Sequence, residues 1–269
     1  YRAVLDAIVD ESIPEQGIKT ETLQSRLHDA LNRPQTGAVI AADHLDEPGT
    51  LSAQEFVDLC AGLPSKISWV GIGRTDPTET VLTNYTANAI QFEPYQSQVL
   101  ADVLMTRAST DGATQPLDHR RARAIADWAA GDAHDALAAL FGAADEAIVN
   151  HHDSITAADV AAGINAVPRP SISLGRVFAL PENRQAVLNQ LLSLDADEQY
   201  SVQAASEHIA KSVDLSAATV KRILYELAED GITRRVTAER TGGKGRPPSR
   251  LEPCFPAVVF QRLFSSAQR

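Results

Sequence analysis

Asp43, His44, Asp46 and Glu47 stand together at the end of a short apolar run, in the segment GAVIAADHLDE. Such a run ending on Asp is how a buried parallel strand delivers a carboxylate to a sheet edge. Nucleotide hydrolases use that arrangement to hold magnesium, with a Glu directly after the Asp to position water. Here the following residue is His44. The four side chains also suggest a metal, but one strand end rarely supplies a full ligand shell, and no metal site is expected from them.

The second candidate chemistry is electrostatic. Residues 231–250 hold six basic side chains (Arg234, Arg235, Arg240, Lys244, Arg246, Arg250) and one acid, Glu239. Just before them, Val220, Ile223, Leu224 and Leu227 form an i, i+3, i+4, i+7 stripe, with Ala217, Lys221, Arg222 and Tyr225 off that stripe. Small residues near a helix start permit close approach to a groove, and the basic pair reaches phosphates or guanine edges. Arginines around a glycine-rich turn suit a minor groove, where the negative potential is focused. A solvated helix face and a protein-contact module are the readings that compete with DNA binding.

Other motifs fail on detail. TGGKGRP places Gly245 after Lys244, where a phosphate-binding loop needs Ser or Thr, and it sits in a hairpin. No G-x-S-x-G elbow or zinc-ligand spacing occurs. His151, His152 and Asp153 are adjacent and point in different directions, as at an exposed helix end.

The elements that would position these residues follow from periodicity. Ala38–Ala42, Ile67–Ile72 and Ala89–Phe92 read as buried strands, with helices over Tyr1–Val9, Thr20–Leu31 and Leu51–Ala61. That alternation implies a parallel α/β sheet, and three strands make it half of a domain. From Pro94, set in a first helical turn, the pattern becomes helical, with further helices at His119–Ala130, Asp132–Val149 and Ala157–Ala166. NAVPRPSIS reads as a linker. Three helices then follow, starting at Glu182, Ser201 and Ser216, with a stop at Gly231 and a hairpin made of ITRRVT, GGKGRPPS and RLEP. Three helices and a hairpin make a winged helix, with the third helix as groove reader and the hairpin as wing.

Composition bounds the class. The chain has 269 residues and a net charge of −11, from 24 basic and 35 acidic residues, and only five of the basic ones are lysine. An acidic, lysine-poor surface stays hydrated where salt screens its repulsion, which points to a salt-loving source; an ordinary acidic cytosolic protein is the alternative. The charge is uneven: residues 171–269 carry 13 basic and 11 acidic side chains, leaving 11 against 24 in residues 1–170. A basic hairpin on an acidic protein is a clearer nucleic-acid signal than one on a basic protein. No apolar run approaches the ~18 residues of a membrane span, and no signal-peptide pattern occurs. Cys60 and Cys254 lie far apart, as free thiols in a reducing cytoplasm. The first residue is Tyr1 rather than Met, as in a piece of a longer chain.

Taken in order, YRAVLDAIVDESIPEQGIKTETLQSRL, AVIAADHLDE, WVGIGRTD, AIQFEPYQSQVLADVLMTRA, GDAHDALAALFGAADEAI and the C-terminal winged helix resemble the archaeal origin-recognition initiators. These are the Orc/Cdc-type AAA+ ATPases that bind replication origins. The resemblance implies an α/β-plus-α architecture: the C-terminal part of an AAA+ core over residues 1–93, a helical lid over 94–168 and a winged-helix domain over 169–269. It implies double-stranded DNA as partner, with contacts from Ala217, Lys221, Arg222, Arg240, Lys244, Gly245, Arg246 and Arg250, and other initiator subunits or a replicative helicase as further partners.

The departures from the family pattern bear on catalysis. Asp43 falls in the metal-holding place of the Walker B strand, and His44 in that of the water-positioning Glu. Arg74 falls in the place of the first-sensor Asn and His134 in that of the second-sensor Arg. The Walker A loop is absent from this chain. Four altered parts of one phosphoryl-transfer machine imply a site that no longer hydrolyses ATP. ATP or ADP with magnesium, touching Asp43 and His134, is expected only if a Walker A loop precedes Tyr1. Two alternatives stay open: an active ATPase completed by such an upstream loop, and a winged-helix transcription regulator.

Overall fold

The computed structural model describes residues 1–9, 11–14, 17–33, 37–63, 65–109, 116–237 and 248–267. The chain forms two compact units, Tyr1–Phe92 and Glu93–Arg269.

In the first unit, α1 (Arg2–Ile8) and α2 (Thr20–Leu31) bury Leu5, Leu27 and Leu31 against Ile13, with Ala38 and Ile67 alongside. β1 (Ala38–Leu45) runs parallel to β2 (Ile67–Gly73), in register from Ala38 opposite Ile67 to Ala42 opposite Gly71. The crossover helix α3 (Ala53–Ala61) is opened by a capping box in which Ser52 and Glu55 satisfy each other's backbone N–H groups. Phe56 of α3 meets Trp69 of β2 edge to face, with ring centroids 5.2 Å apart, so the helix covers one sheet face. The opposite face carries Val39, Val70 and Ile72, all exposed. A short 3₁₀ turn follows at Val81–Asn84.

Two expectations need correction here. Ala89–Phe92 forms no strand, and Ile90 and Phe92 are exposed. Apolar character qualifies a segment for a sheet, but only a ladder partner makes it a strand, and this one has none among the described residues. Pro94 is likewise outside any helix, since α4 (Ser97–Ala108) begins after Gln96. The segment instead hooks onto the turn at residues 130–131: Tyr95 N–H donates to Gly131 O at 3.1 Å. Gly131 has φ +91, and a Cβ there would stand 2.6 Å from the Pro94 Cβ, so the turn requires glycine twice over.

The second unit holds two cores. The first is helical, from α4, α5 (His119–Ala129), α6 (Ala133–Val149) and α7 (Ala157–Asn165), and it buries Leu100, Leu104, Ile125, Ala139 and Ala143. Asp118, Asp132 and Thr156 cap α5, α6 and α7 by accepting N–H bonds from the first turn.

The second core lies among α8 (Leu174–Phe178), α9 (Glu182–Ser193), α10 (Val202–Ile209), α11 (Ala217–Glu229) and the antiparallel strands β3 (Thr233–Thr237) and β4 (Ser249–Pro253). All four residues of the α11 stripe, Val220, Ile223, Leu224 and Leu227, are buried there with Leu251 and Phe255. A helix with no expectation from periodicity, α12 (Ala257–Ala267), ties the two cores together. Its Val259 enters the first core and Phe260 the second, and Arg262 pairs with Asp145 of α6 at 2.7 Å.

The segment between α7 and α8 is no loose tether. Val167 and Ile172 are buried, and the Arg169 guanidinium lies 4.0 Å over the Trp128 ring while its Nη2 donates to Trp128 O at 2.8 Å.

Candidate functional site

At the end of β1 the ladder becomes irregular between Ala42 and Leu45, where His44 and Asp46 adopt positive φ of 60° and 62°. For residues with a Cβ that conformation costs roughly 1–2 kcal/mol each, and local hydrogen bonds offset it. Thr50 Oγ1 donates to His44 O at 2.6 Å and Glu47 O at 2.7 Å, while Asp46 Oδ1 accepts from Ala53 N–H at 2.8 Å, at the start of α3. The loop is therefore clamped onto the crossover helix.

This clamp gathers Asp43, His44, Glu47 and Arg74, four of the residues selected from the sequence. Glu47, with its side chain only 9% exposed, lies 3.1 Å from His44 Nδ1 and 3.4 Å from Arg74 Nε, both distances to the same oxygen, Oε1. Asp43 Oδ1 accepts from the His44 N–H at 2.8 Å, and its other oxygen lies 3.6 Å from His44 Nε2. Glu47 thus engages both His44 and Arg74. A carboxylate engaged by an imidazole and a guanidinium is poorly placed to orient water or complete a cation's shell.

His134 sits in the second unit, on the first turn of α6. Both of its ring nitrogens are buried without a hydrogen-bond partner, and Nδ1 is 3.5 Å from Asp135 Oδ1. Asp132 caps the helix by accepting the Asp135 N–H at 3.1 Å, and Asp135 Oδ2 lies 3.5 Å from Arg169 Nε. Asp132, His134 and Asp135 bring their ligand-type atoms within 4.8 Å of one another, a grouping that sequence reasoning missed. Both carboxylates already have work: one caps the helix, and the other faces a guanidinium. A cation there would also meet the positive end of the α6 dipole. Two acids flanking His134 equally disfavour a polyphosphate.

Of the residues expected to contact DNA, Ala217, Lys221 and Arg222 lie on α11 and Arg250 on β4, whereas Arg240, Lys244, Gly245 and Arg246 fall outside the described residues. α11 is capped by Ser216, whose Oγ accepts the Thr219 N–H at 3.2 Å. Lys221 Nζ donates to Gln203 Oε1 of α10 at 2.7 Å, and Arg222 reaches Glu226 at 2.7 Å. Glu226 also receives Arg184 of α9 at 2.7 Å. Arg235 lies 5.3 Å over the Tyr225 ring, which joins the hairpin to the helix, and it donates to Ser249 Oγ at 3.0 Å. Arg234 and Arg250 share Glu252, at 3.0 and 2.8 Å. Glu252 and Arg169 are site-shaping residues that local patterns do not flag, because Arg234 reaches the first, and Trp128 and Asp135 the second, from other elements.

No protein-family model matches the sequence, and no curated protein matches it. Among solved structures, the chain is similar to the Orc1 protein of Aeropyrum pernix, determined in complex with DNA. The TM-score is 0.50 at 20% identity, over 99% of this chain and 73% of that one. It also matches Cdc6p of Pyrobaculum aerophilum at TM-score 0.45 and 18% identity, over 95% of this chain and 72% of that one. A RuvB mutant of Thermotoga maritima matches at TM-score 0.39 and 16% identity, over 86% and 72%. The Aeropyrum likeness establishes a shared fold along essentially the whole chain. No helix among the described residues is long and apolar enough to cross a membrane.

Proposed function

We propose that this chain is an origin-recognition-type DNA-binding protein with a degenerate, non-hydrolysing AAA+ nucleotide site. In this reading residues 1–93 are the later part of the AAA+ core, 94–168 the lid and 169–269 a winged helix that holds double-stranded DNA. The observation that carries the DNA reading is the union of α11 and the β3–β4 hairpin over one core, with Lys221, Arg222, Arg234 and Arg250 all belonging to that unit. The fold shared with a protein solved on DNA supports it.

The degenerate site is supported by the capture of Glu47 by His44 and Arg74, and by the acids flanking His134. Each replaces a group that phosphoryl transfer needs with one that is engaged elsewhere or repels phosphate. The net charge of −11 with five lysines supports work in concentrated salt.

The test is fluorescence anisotropy on labelled duplex DNA across a salt series. Affinity is expected to fall with salt, and the double change Lys244→Ala with Arg246→Ala is expected to weaken binding and flatten the salt slope by about 0.9 per lost phosphate contact. Replacing Arg246 alone should narrow the gap between a preferred site and random DNA. Unchanged affinity in the folded double variant makes the C-terminal unit a protein-contact module instead.

A further inference from the structure

The register of the hairpin sorts its charges by face. Arg234 stands opposite Glu252, and Val236 opposite Arg250. Opposed residues share a face, as do residues two apart on one strand. Arg234, Arg250 and Glu252 therefore project from one face, and the buried Leu251 lies on the other, against the core.

On the outer face both oxygens of Glu252 are taken. Arg234 donates through Nη2 and Nε to Oε2 at 3.0 and 3.3 Å. Arg250 donates through the same pair of atoms to Oε1 at 2.8 and 3.3 Å. The two guanidiniums are about half exposed, at 55% and 50%.

We propose that Glu252 is a built-in restraint on DNA binding: its carboxylate occupies Arg234 and Arg250 and so limits how much of the hairpin's positive charge a duplex can use. The proposal rests on the DNA reading above. Exposed ion pairs add little to stability, and Leu251, Phe255 and Ile232 anchor the hairpin from its other face, so the fold does not require this carboxylate. Its effect is electrostatic. It cancels one of two charges and fills donors on both, so a phosphate must displace a carboxylate to reach either guanidinium. The hydrogen bonds from Arg250 and Arg234 also hold the Glu252 carboxyl below its usual range, which keeps it charged at neutral pH. The result is weaker, less salt-sensitive binding to any duplex than the basic count suggests.

The experiment compares the full chain with Glu252→Gln on a random-sequence duplex, by anisotropy from ~0.05 to ~0.5 M salt. Glu229→Gln, at the exposed last residue of α11, makes the same charge change at a glutamate that forms no ion pair with these arginines. Glu252→Gln should tighten binding about three- to tenfold at ~0.1 M salt and steepen the salt slope by about one to two, with Glu229→Gln changing far less. Adding Arg234→Ala and Arg250→Ala to Glu252→Gln should abolish the gain. If the parent chain binds and Glu252→Gln binds no tighter than Glu229→Gln, the restraint is overturned and the DNA reading stands. If no form binds at the lowest salt, the DNA reading falls and the restraint falls with it.

Discussion

Gly142 of α6 and Gly163 of α7 meet where the two helices come into backbone contact, so that a Cβ on Gly142 would lie 3.0 Å from the Gly163 Cα. At Gly163 the approach is tighter: an added Cβ would stand 2.3 Å from Ala139 O and 2.5 Å from Ala143 N. These are backbone atoms inside a helix, and they cannot move aside as a side-chain end can. The close approach lets the alanine-rich α6 bury its surface with short side chains.

Gly163→Ala therefore sets two effects against each other. Helix propensity favours Ala by about 1 kcal/mol, whereas overpacking costs ~1–3 kcal/mol or more. With clashes this short, overpacking wins. Urea unfolding should show a destabilisation of about 2 kcal/mol, larger than for Gly142→Ala. A Gly163→Ala variant as stable as the parent chain would contradict the packing described.

Acid should loosen the same helical core. Asp159 is buried, yet its carboxyl is held below the ordinary value. Burial itself pushes it up, but hydrogen bonds from Thr156 N–H at 2.8 Å and Oγ1 at 2.7 Å, with His152 Nδ1 at 2.9 Å, outweigh that push. A folded value below the unfolded ~3.9 gives stability that is fully present above pH ~4 and lost as pH falls through the folded value. Melting midpoints should drop in that acid window, and Asp159→Asn should reduce the drop while lowering stability at neutral pH. Thr156→Ala, which removes the cap, should cost about 1 kcal/mol.

Turnover of ATP should stay at background, with or without any segment preceding Tyr1. In the proposed reading His44→Glu alone should not rescue it, because Arg74, taken there as standing in the first-sensor place, still pairs with Glu47. Steady phosphate release that Asp43→Ala abolishes would overturn the degenerate reading.

Dilution of salt should destabilise the protein. Residues 1–170 carry 24 acids against 11 bases, and the screening length grows from ~3 Å at 1 M to ~30 Å at 0.01 M. Thermal melts across that range should show midpoints falling on dilution. A flat profile would remove the argument for salt adaptation.

Most helix starts, though not those of α4 and α12, and the face of α11 were legible in the sequence because they depend on neighbours three or four positions away. Ser52, Asp118, Asp132, Thr156, Ser201 and Ser216 each cap the helix that follows, and the α11 stripe is the buried one. Patterning also marked both strands of the parallel pair, but not the state of Ala89–Phe92, since apolar character cannot supply a ladder partner. The long-range charge pairs were decided by tertiary structure alone. Arg234 and Glu252 meet across 18 positions, and Arg262 and Asp145 across 117. An ion pair depends on where the backbone carries each group and on what else competes for it. A charge census could count the arginines near the hairpin, but only the strand register decides that one glutamate holds two of them.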